Sequence, residues 1–247
     1  TFARKLYLMK FNTAKIAEEL VTTSEKIAKG YKVLQDIKEV EVGMTPKELV
    51  WTCDKVKMYR YTRNTPAKCK VPVLVSFAML NRHDVLDLQS DRSLMKKLGE
   101  EGLDIYIMDW GYHDRSDRYL TMEDYIDGYM NDAVDFLRKR HNVPKIHKMG
   151  ICQGGTFSMI YAALYPEKLK SLTTYVAPYD FSTTKCMLYK WTKYIDVDAM
   201  VDTVGTIPGE MIDGAFGMLK PSMNVSKYFG LINSLDDSDK MMNFLRM

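Results

Sequence analysis

Gly150, Ile151, Cys152, Gln153 and Gly154, followed at once by Gly155 and Thr156, lie between a strand-like run, Lys145 to Ile151, and a helix-like run, Thr156 to Tyr165. A sharp turn from strand into helix crowds its own backbone, so the positions two before and two after its central residue must be small. Gly150 and Gly154 meet that requirement. Such a turn lifts the central side chain clear of the sheet and sets it at the N-terminus of the next helix. Partial positive charge there favours a thiolate and a developing oxyanion. Cys152 is therefore the candidate nucleophile, weighed against the plainer reading of a buried cysteine in a Gly-rich turn.

The rest of the chain alternates strand and helix signals. Residues from about Asn12 to Ile37 carry Ile16, Leu20, Val21, Ile27, Tyr31 and Leu34 at helical spacing, one or two helices outside any sheet whose apolar stripe reads as a face packed on its own core. Lys55 to Thr62 alternates as an antiparallel or edge strand does, and Val71 to Ala78 is apolar throughout, as a strand covered on both faces must be. Asp104 to Asp109 and Ser171 to Ala177 are further strands, and Met122 to Arg140 has helical spacing. This order predicts an α/β fold with a mainly parallel sheet. Its active groups should gather beyond the carboxyl ends of the strands, in Met79–Asp87, Trp110–Asp117 and the Cys152 turn. Three regions are expected: an N-terminal helical segment over 1–48, a core over 49–179, and a cap over 180–247 whose Tyr, Trp and Met content reads first as packing.

Length and charge narrow the functional classes. A chain of 247 residues can bury one substantial core with an elaborated cap. A net charge of +3 without a long Lys/Arg block gives no support to a nucleic-acid partner. Cys53, Cys69, Cys152 and Cys186 show no C-x-x-C pairing, which suggests neither a zinc site nor a disulfide framework and fits a reducing cytoplasm. The longest apolar run, Val71 to Leu80, is too short to cross a bilayer, so no transmembrane segment is expected. The sequence starts at Thr1 without an initiator Met and stops at Met247 inside a helix-like run, from which truncation at one or both ends is expected.

Several motifs coincide with one family. The turn Gly150 to Thr156, the stretch Asn81 to Leu88, the triplet Asp109-Trp110-Gly111, and Asp124-Tyr125-Ile126 with Gly128-Tyr129 resemble polyhydroxyalkanoate synthases, most closely the class III catalytic subunit. Val197 to Ile212, Leu219-Lys220-Pro221 and Asn243 to Met247 extend the resemblance, which covers roughly Val42 to Met247. It implies an α/β-hydrolase-type core with N-terminal helices and a helical cap, with no metal or other cofactor. The implied reaction is polymerisation of (R)-3-hydroxyacyl-CoA, foremost 3-hydroxybutyryl-CoA, with release of CoA at the surface of cytoplasmic polyester granules. A PhaE-type subunit and further copies of the chain are the implied partners. Cys152 falls on the family's nucleophile, while the family's catalytic Asp and His follow the cap and this sequence stops before both. None of His83, His113, His141 and His147 matches that His by position, and His141 and His147 read as solvated. Asp87 matches an Asp near the family's pocket, where support of a loop is expected rather than proton transfer.

The chemistry follows from the thiol. A thiolate exchanges readily with a thioester, so Cys152 takes the acyl group and expels CoA. A 3-hydroxyl must then attack the acyl-enzyme, which needs a general base. The backbone N–H groups of Gln153 and, within about two positions, Leu80 are the expected oxyanion donors. A thioesterase of the same fold, with water as acceptor, and a non-catalytic truncated granule-associated subunit stay open at this point.

Overall fold

The computed structural model describes residues 13–36, 42–182, 187–219, 222, 226, 230, 231, 234, 235 and 237–246. Cys186, Lys220, Pro221, Met247 and the two ends of the first expected helix, Asn12 and Ile37, lie outside the described residues. The chain forms two compact units, Val42–Leu219 and Thr1–Glu41 together with Lys220–Met247.

The larger unit is built on six strands: β1 (Lys47–Cys53), β2 (Val56–Tyr61), β3 (Val73–Ser76), β4 (Ile105–Asp109), β5 (Ile146–Ile151) and β6 (Leu169–Tyr175). They lie in the order β1-β2-β4-β3-β5-β6. The pairs β1/β2 and β2/β4 are antiparallel; β4/β3, β3/β5 and β5/β6 are parallel. β2 thus pairs on both sides, which removes the edge alternative and keeps the antiparallel one. It joins β1 through Asp54 and Lys55, and Asp54 takes the positive φ of 49° that a two-residue hairpin demands and Asp tolerates.

The central strands read as apolar runs because both faces are covered. On one face Leu74, Tyr106, Met108 and Ile146 pack with Phe157 and Tyr161 of α4 (Gln153–Leu164) and with Val134 and Leu137 of α3 (Asn131–His141). On the other, Val73, Val75, Ile105 and Ile107 pack with Met95 of α2 (Leu94–Glu100). At about 1.5–3 kcal/mol for each large apolar side chain fully withdrawn from water, these two layers dominate the favourable side of folding.

Two elements differ from their expected form. The helix expected from Met122 begins as a wide π-helical stretch, Asp124–Met130, before α3 continues it. Asp124 accepts from the Thr121 N–H at 2.6 Å and its hydroxyl at 2.8 Å, and Tyr129 donates to Asp54 at 2.8 Å, so both ends of the wide turn are tied. The last strand starts at Leu169, two residues earlier than expected, and ends before Val176, whose φ of 47° leaves the extended region. Beyond it the unit continues with α5 (Met187–Thr192), α6 (Val197–Val204) and α7 (Gly209–Leu219).

The smaller unit contains α1 (Thr13–Asp36) and α8 (Ser238–Leu245). The predicted stripe on α1 forms as a stripe, but Ile16, Leu20, Val21, Ile27, Tyr31 and Leu34 are exposed, so the expected packing does not occur among the described residues. The helix closes instead at Gly30, whose missing side chain leaves room for Leu235.

Candidate active site

The turn after β5 is the tight one the glycines require. Ser76 of β3 lies in register with Gly150 of β5, and Tyr175 of β6 with Ile151. Cys152 comes next, at φ 55° and ψ −130°, and α4 starts at Gln153. Positive φ in a residue with a side chain costs on the order of 1–3 kcal/mol, so its surroundings must enforce it. The Cys152 N–H donates to Tyr175 O at 3.0 Å, and the Cys152 carbonyl accepts from the Gly155 and Thr156 N–H groups at 2.8 and 3.4 Å. A Cβ on Gly150 would stand 2.7 Å from both the Gly154 carbonyl oxygen and Ser158 Oγ. Cys152 is half-buried and packs against the apolar cluster that contains Val75, Ile107 and Ile151.

Gln153 does more than follow the thiol. Its Oε1 accepts from the Met79 N–H at 3.1 Å, which draws the loop after β3 onto the first turn of α4. The Trp110 indole donates to Phe77 O at 2.9 Å, tying that loop to the end of β4. The Met79 N–H is therefore engaged, whereas the next one, on Leu80, meets no protein acceptor among the described residues. The Gln153 N–H opens the helix, where no preceding turn supplies it an acceptor.

A cleft of about 630 Å³ lies beside this arrangement. Its walls come from Phe77–His83, from Met108–His113, and from Val201, Gly205 and Ile207. Leu80 lines it, and Cys152 does not; the link is the Gln153–Met79 hydrogen bond. His83 and His113 face the cleft too. Burial first, then the Lys47 ammonium, holds His83 below the usual imidazole range. Lys47 Nζ donates to its Nε2 at 3.0 Å, so the ring proton sits on Nδ1, 3.8 Å from Asp109 Oδ1. The basic nitrogen of His83 is thus occupied. His113 packs edge-on against Tyr125.

The other two histidines are half-buried and hydrogen-bonded rather than free in solvent as the sequence suggested. His141 sits 2.8 Å from the Tyr106 hydroxyl and His147 2.7 Å from Ser171 Oγ, and burial is the leading cause that lowers both from the ordinary value. They end a helix and begin a strand against the sheet, where neighbouring hydroxyls reach them. Asp87 lies off the cleft and is buried. It accepts from the Thr45 N–H at 2.9 Å and from the Thr45 hydroxyl at 2.6 Å, while its own carbonyl accepts from Gly43 at 2.8 Å. Asp87→Ala is expected to cost about 2–3 kcal/mol in urea denaturation, because two donors lose their acceptor. Labelling of Cys152 by iodoacetamide at 25 °C should be unchanged; a lost thiol reaction in a folded variant would put Asp87 in the site.

Lys148 escaped the sequence reading. It lies within β5 and is fully buried, with its Nζ 2.5 Å from Ser76 Oγ. The signal was present: Lys148 shares the register face of Leu74, a core position, so a charge there has no exit to water. Among the described residues no group of metal-ligating side chains stands together, and no helix is long and apolar enough to cross a membrane.

Comparison with known proteins adds independent findings. A family model described as alpha/beta hydrolase fold matches residues 83–196. The chain is 44% identical over 236 residues to the poly(3-hydroxyalkanoate) polymerase subunit PhaC of Allochromatium vinosum, covering 94% of this chain and 66% of that protein. It is 44% identical to the protein of the same name from Thiocystis violacea, again covering 66% of it, and 42% identical to that of Synechocystis, covering 63%. The chain thus spans just under two thirds of the length of these relatives.

Proposed function

The chain belongs to the family of poly(3-hydroxyalkanoate) polymerase subunits PhaC, and we propose that it carries the nucleophile of an acyltransferase acting on (R)-3-hydroxyacyl-CoA. The observation that supports this most is the enforced conformation of Cys152 between β5 and α4. Strain of that kind persists where a side chain must be held for use.

In the proposed reaction the Cys152 thiolate attacks the thioester carbonyl. The Sγ–acyl bond forms, the bond to the CoA sulfur breaks, and CoA leaves with the proton the thiol gave up. The Gln153 and Leu80 N–H groups receive the oxyanion of the tetrahedral intermediate. A 3-hydroxyl then attacks the acyl-enzyme carbonyl: the ester bond forms, the Sγ–acyl bond breaks, the hydroxyl proton passes by way of a general base to the departing Cys152 sulfur, and the chain lengthens by one ester. Substrates of 3-hydroxybutyryl size, a PhaE-type subunit, further copies of the chain and the surface of a polyester granule in the cytoplasm complete the proposal.

The test is mass spectrometry of the chain after mixing with (R)-3-hydroxybutyryl-CoA. The peptide holding Cys152 should gain one 3-hydroxybutyryl group for each CoA released. CoA release with the acyl group on another residue, or with free acid as the sole product and no acyl-enzyme, would overturn it, the second outcome marking a thioesterase.

A further inference from the structure

Lys148 carries a buried amine that meets no carboxylate among the described residues. Its Nζ touches Ser76 Oγ, and Ser76 Oγ in turn approaches Met108 Sδ at 3.5 Å. From β3 and β6 its register partners are Leu74 and Leu172. The titratable groups of the cluster on this face are phenols and one thiol: Tyr106 of β4, Tyr161 of α4 and Tyr125 of the π-helical stretch are pushed up chiefly by burial, Tyr129 and Tyr165 first by their hydrogen bonds to Asp54 and Asp127, and Cys53 by burial. His141 stands at the Tyr106 hydroxyl, and from α3 Asp135 and Arg138 pair with one another at 2.6 Å. Burial alone moves the Lys148 ammonium, down to about 7.

Ser76 is the residue on which the turn rests. It ends β3 in register with Gly150, its carbonyl group packs directly on Gly154, and Phe77 to Leu80 continue from it. We infer that Lys148 is a positioning residue of the Cys152 turn: its amine holds the Ser76 hydroxyl, and through Ser76 it fixes the carbonyl against Gly154 and the start of the loop that carries Leu80.

A pH dependence follows. The unfolded chain keeps a proton on Lys148 up to about pH 10, whereas the folded chain releases it near neutrality. Between those limits the unfolded state binds more protons, so stability rises with pH. Below neutrality the charge sits in an apolar layer, and the fold bears that desolvation cost. The effect on chemistry rests on reading Cys152 as the nucleophile; the effect on stability does not.

Two variants and two readouts test this on the whole chain. Thermal unfolding between pH 6 and 9 should show a midpoint that rises with pH in the wild type and rises much less in Lys148→Met. Iodoacetamide labelling of Cys152 should slow or quicken by about threefold or more in both Lys148→Met and Ser76→Ala, and the double variant should go no further than either, as contacting residues require. Labelling of Cys53 and Cys69 should not change. Ser76→Ala keeps the lysine and so serves where Lys148→Met does not fold. An unchanged pH slope in Lys148→Met, an unchanged Cys152 rate in Ser76→Ala, or additive effects would overturn the inference. Neither readout uses acyl-CoA, so a chain that makes no polymer still tests it.

Discussion

Cys152→Ala is expected to lower CoA release from (R)-3-hydroxybutyryl-CoA by on the order of 10⁴-fold or more, the loss typical when a covalent nucleophile is deleted. Cys53→Ala and Cys69→Ala should retain most of the activity of the chain they are made in, assayed with whatever partner subunit that activity requires. The contrast is geometric. All three thiols are free and half-buried, so exposure does not separate them. Cys152 alone of the three has positive φ and leads into a helix, with the Gln153 N–H beside it. Burial is the leading cause that raises the Cys53 thiol, with the neighbouring Asp54 and Asp132 acting in the same direction. Cys152→Ser should also be poor, because a hydroxyl offers no accessible anion at neutral pH. CoA release by Cys152→Ala at a rate within tenfold of the parent would end the covalent reading.

The parts of this site that were legible in the sequence are those with a backbone cause. Gly150 and Gly154 announce a turn without room for a Cβ, and the flanking periods, strand before and helix after, place it in an α/β fold. The parallel pairing among β4, β3, β5 and β6 follows from the same alternation, though their order does not. What stayed hidden depends on side chains meeting across the sheet. That Gln153 reaches the Met79 N–H, that Lys47 occupies His83, and that Lys148 points into the core are contacts between residues 36 to 74 positions apart, for which local period carries no information. His141 and His147 read as solvated because they lie on the far side of the helix and strand that precede the elbow, yet Tyr106 of β4 and Ser171 of β6 come to them. The pairing of β2 on both sides was ambiguous for a related reason. An alternating pattern tells that one face is wet, and says nothing of how many neighbours a strand has.

Gly154→Val is expected to cost about 3 kcal/mol or more of stability, or to prevent folding, and to abolish labelling of Cys152 in any folded fraction. A Cβ at Gly154 would run into the Ser76 carbonyl oxygen and stand 2.5 Å from its carbon and 2.7 Å from Phe77 O. These are backbone atoms, so no rotamer change relieves the contact. Moving them means pulling the end of β3 away from Gly150, with which Ser76 is in register, and that breaks the support of the turn itself. Gly154→Ala already places the same Cβ and should show most of the loss, which separates crowding by the backbone from the extra bulk of valine. Gly214, within α7, is the internal control: nothing lies within 4 Å of a Cβ built there, so Gly214→Ala should be neutral or stabilising by up to about 1 kcal/mol through helix propensity. Urea denaturation of the three variants beside the parent chain measures the difference. If Gly154→Val unfolds at the parent's midpoint, the close approach of β3 to α4 is wrong, and with it the geometry that holds Cys152 in place.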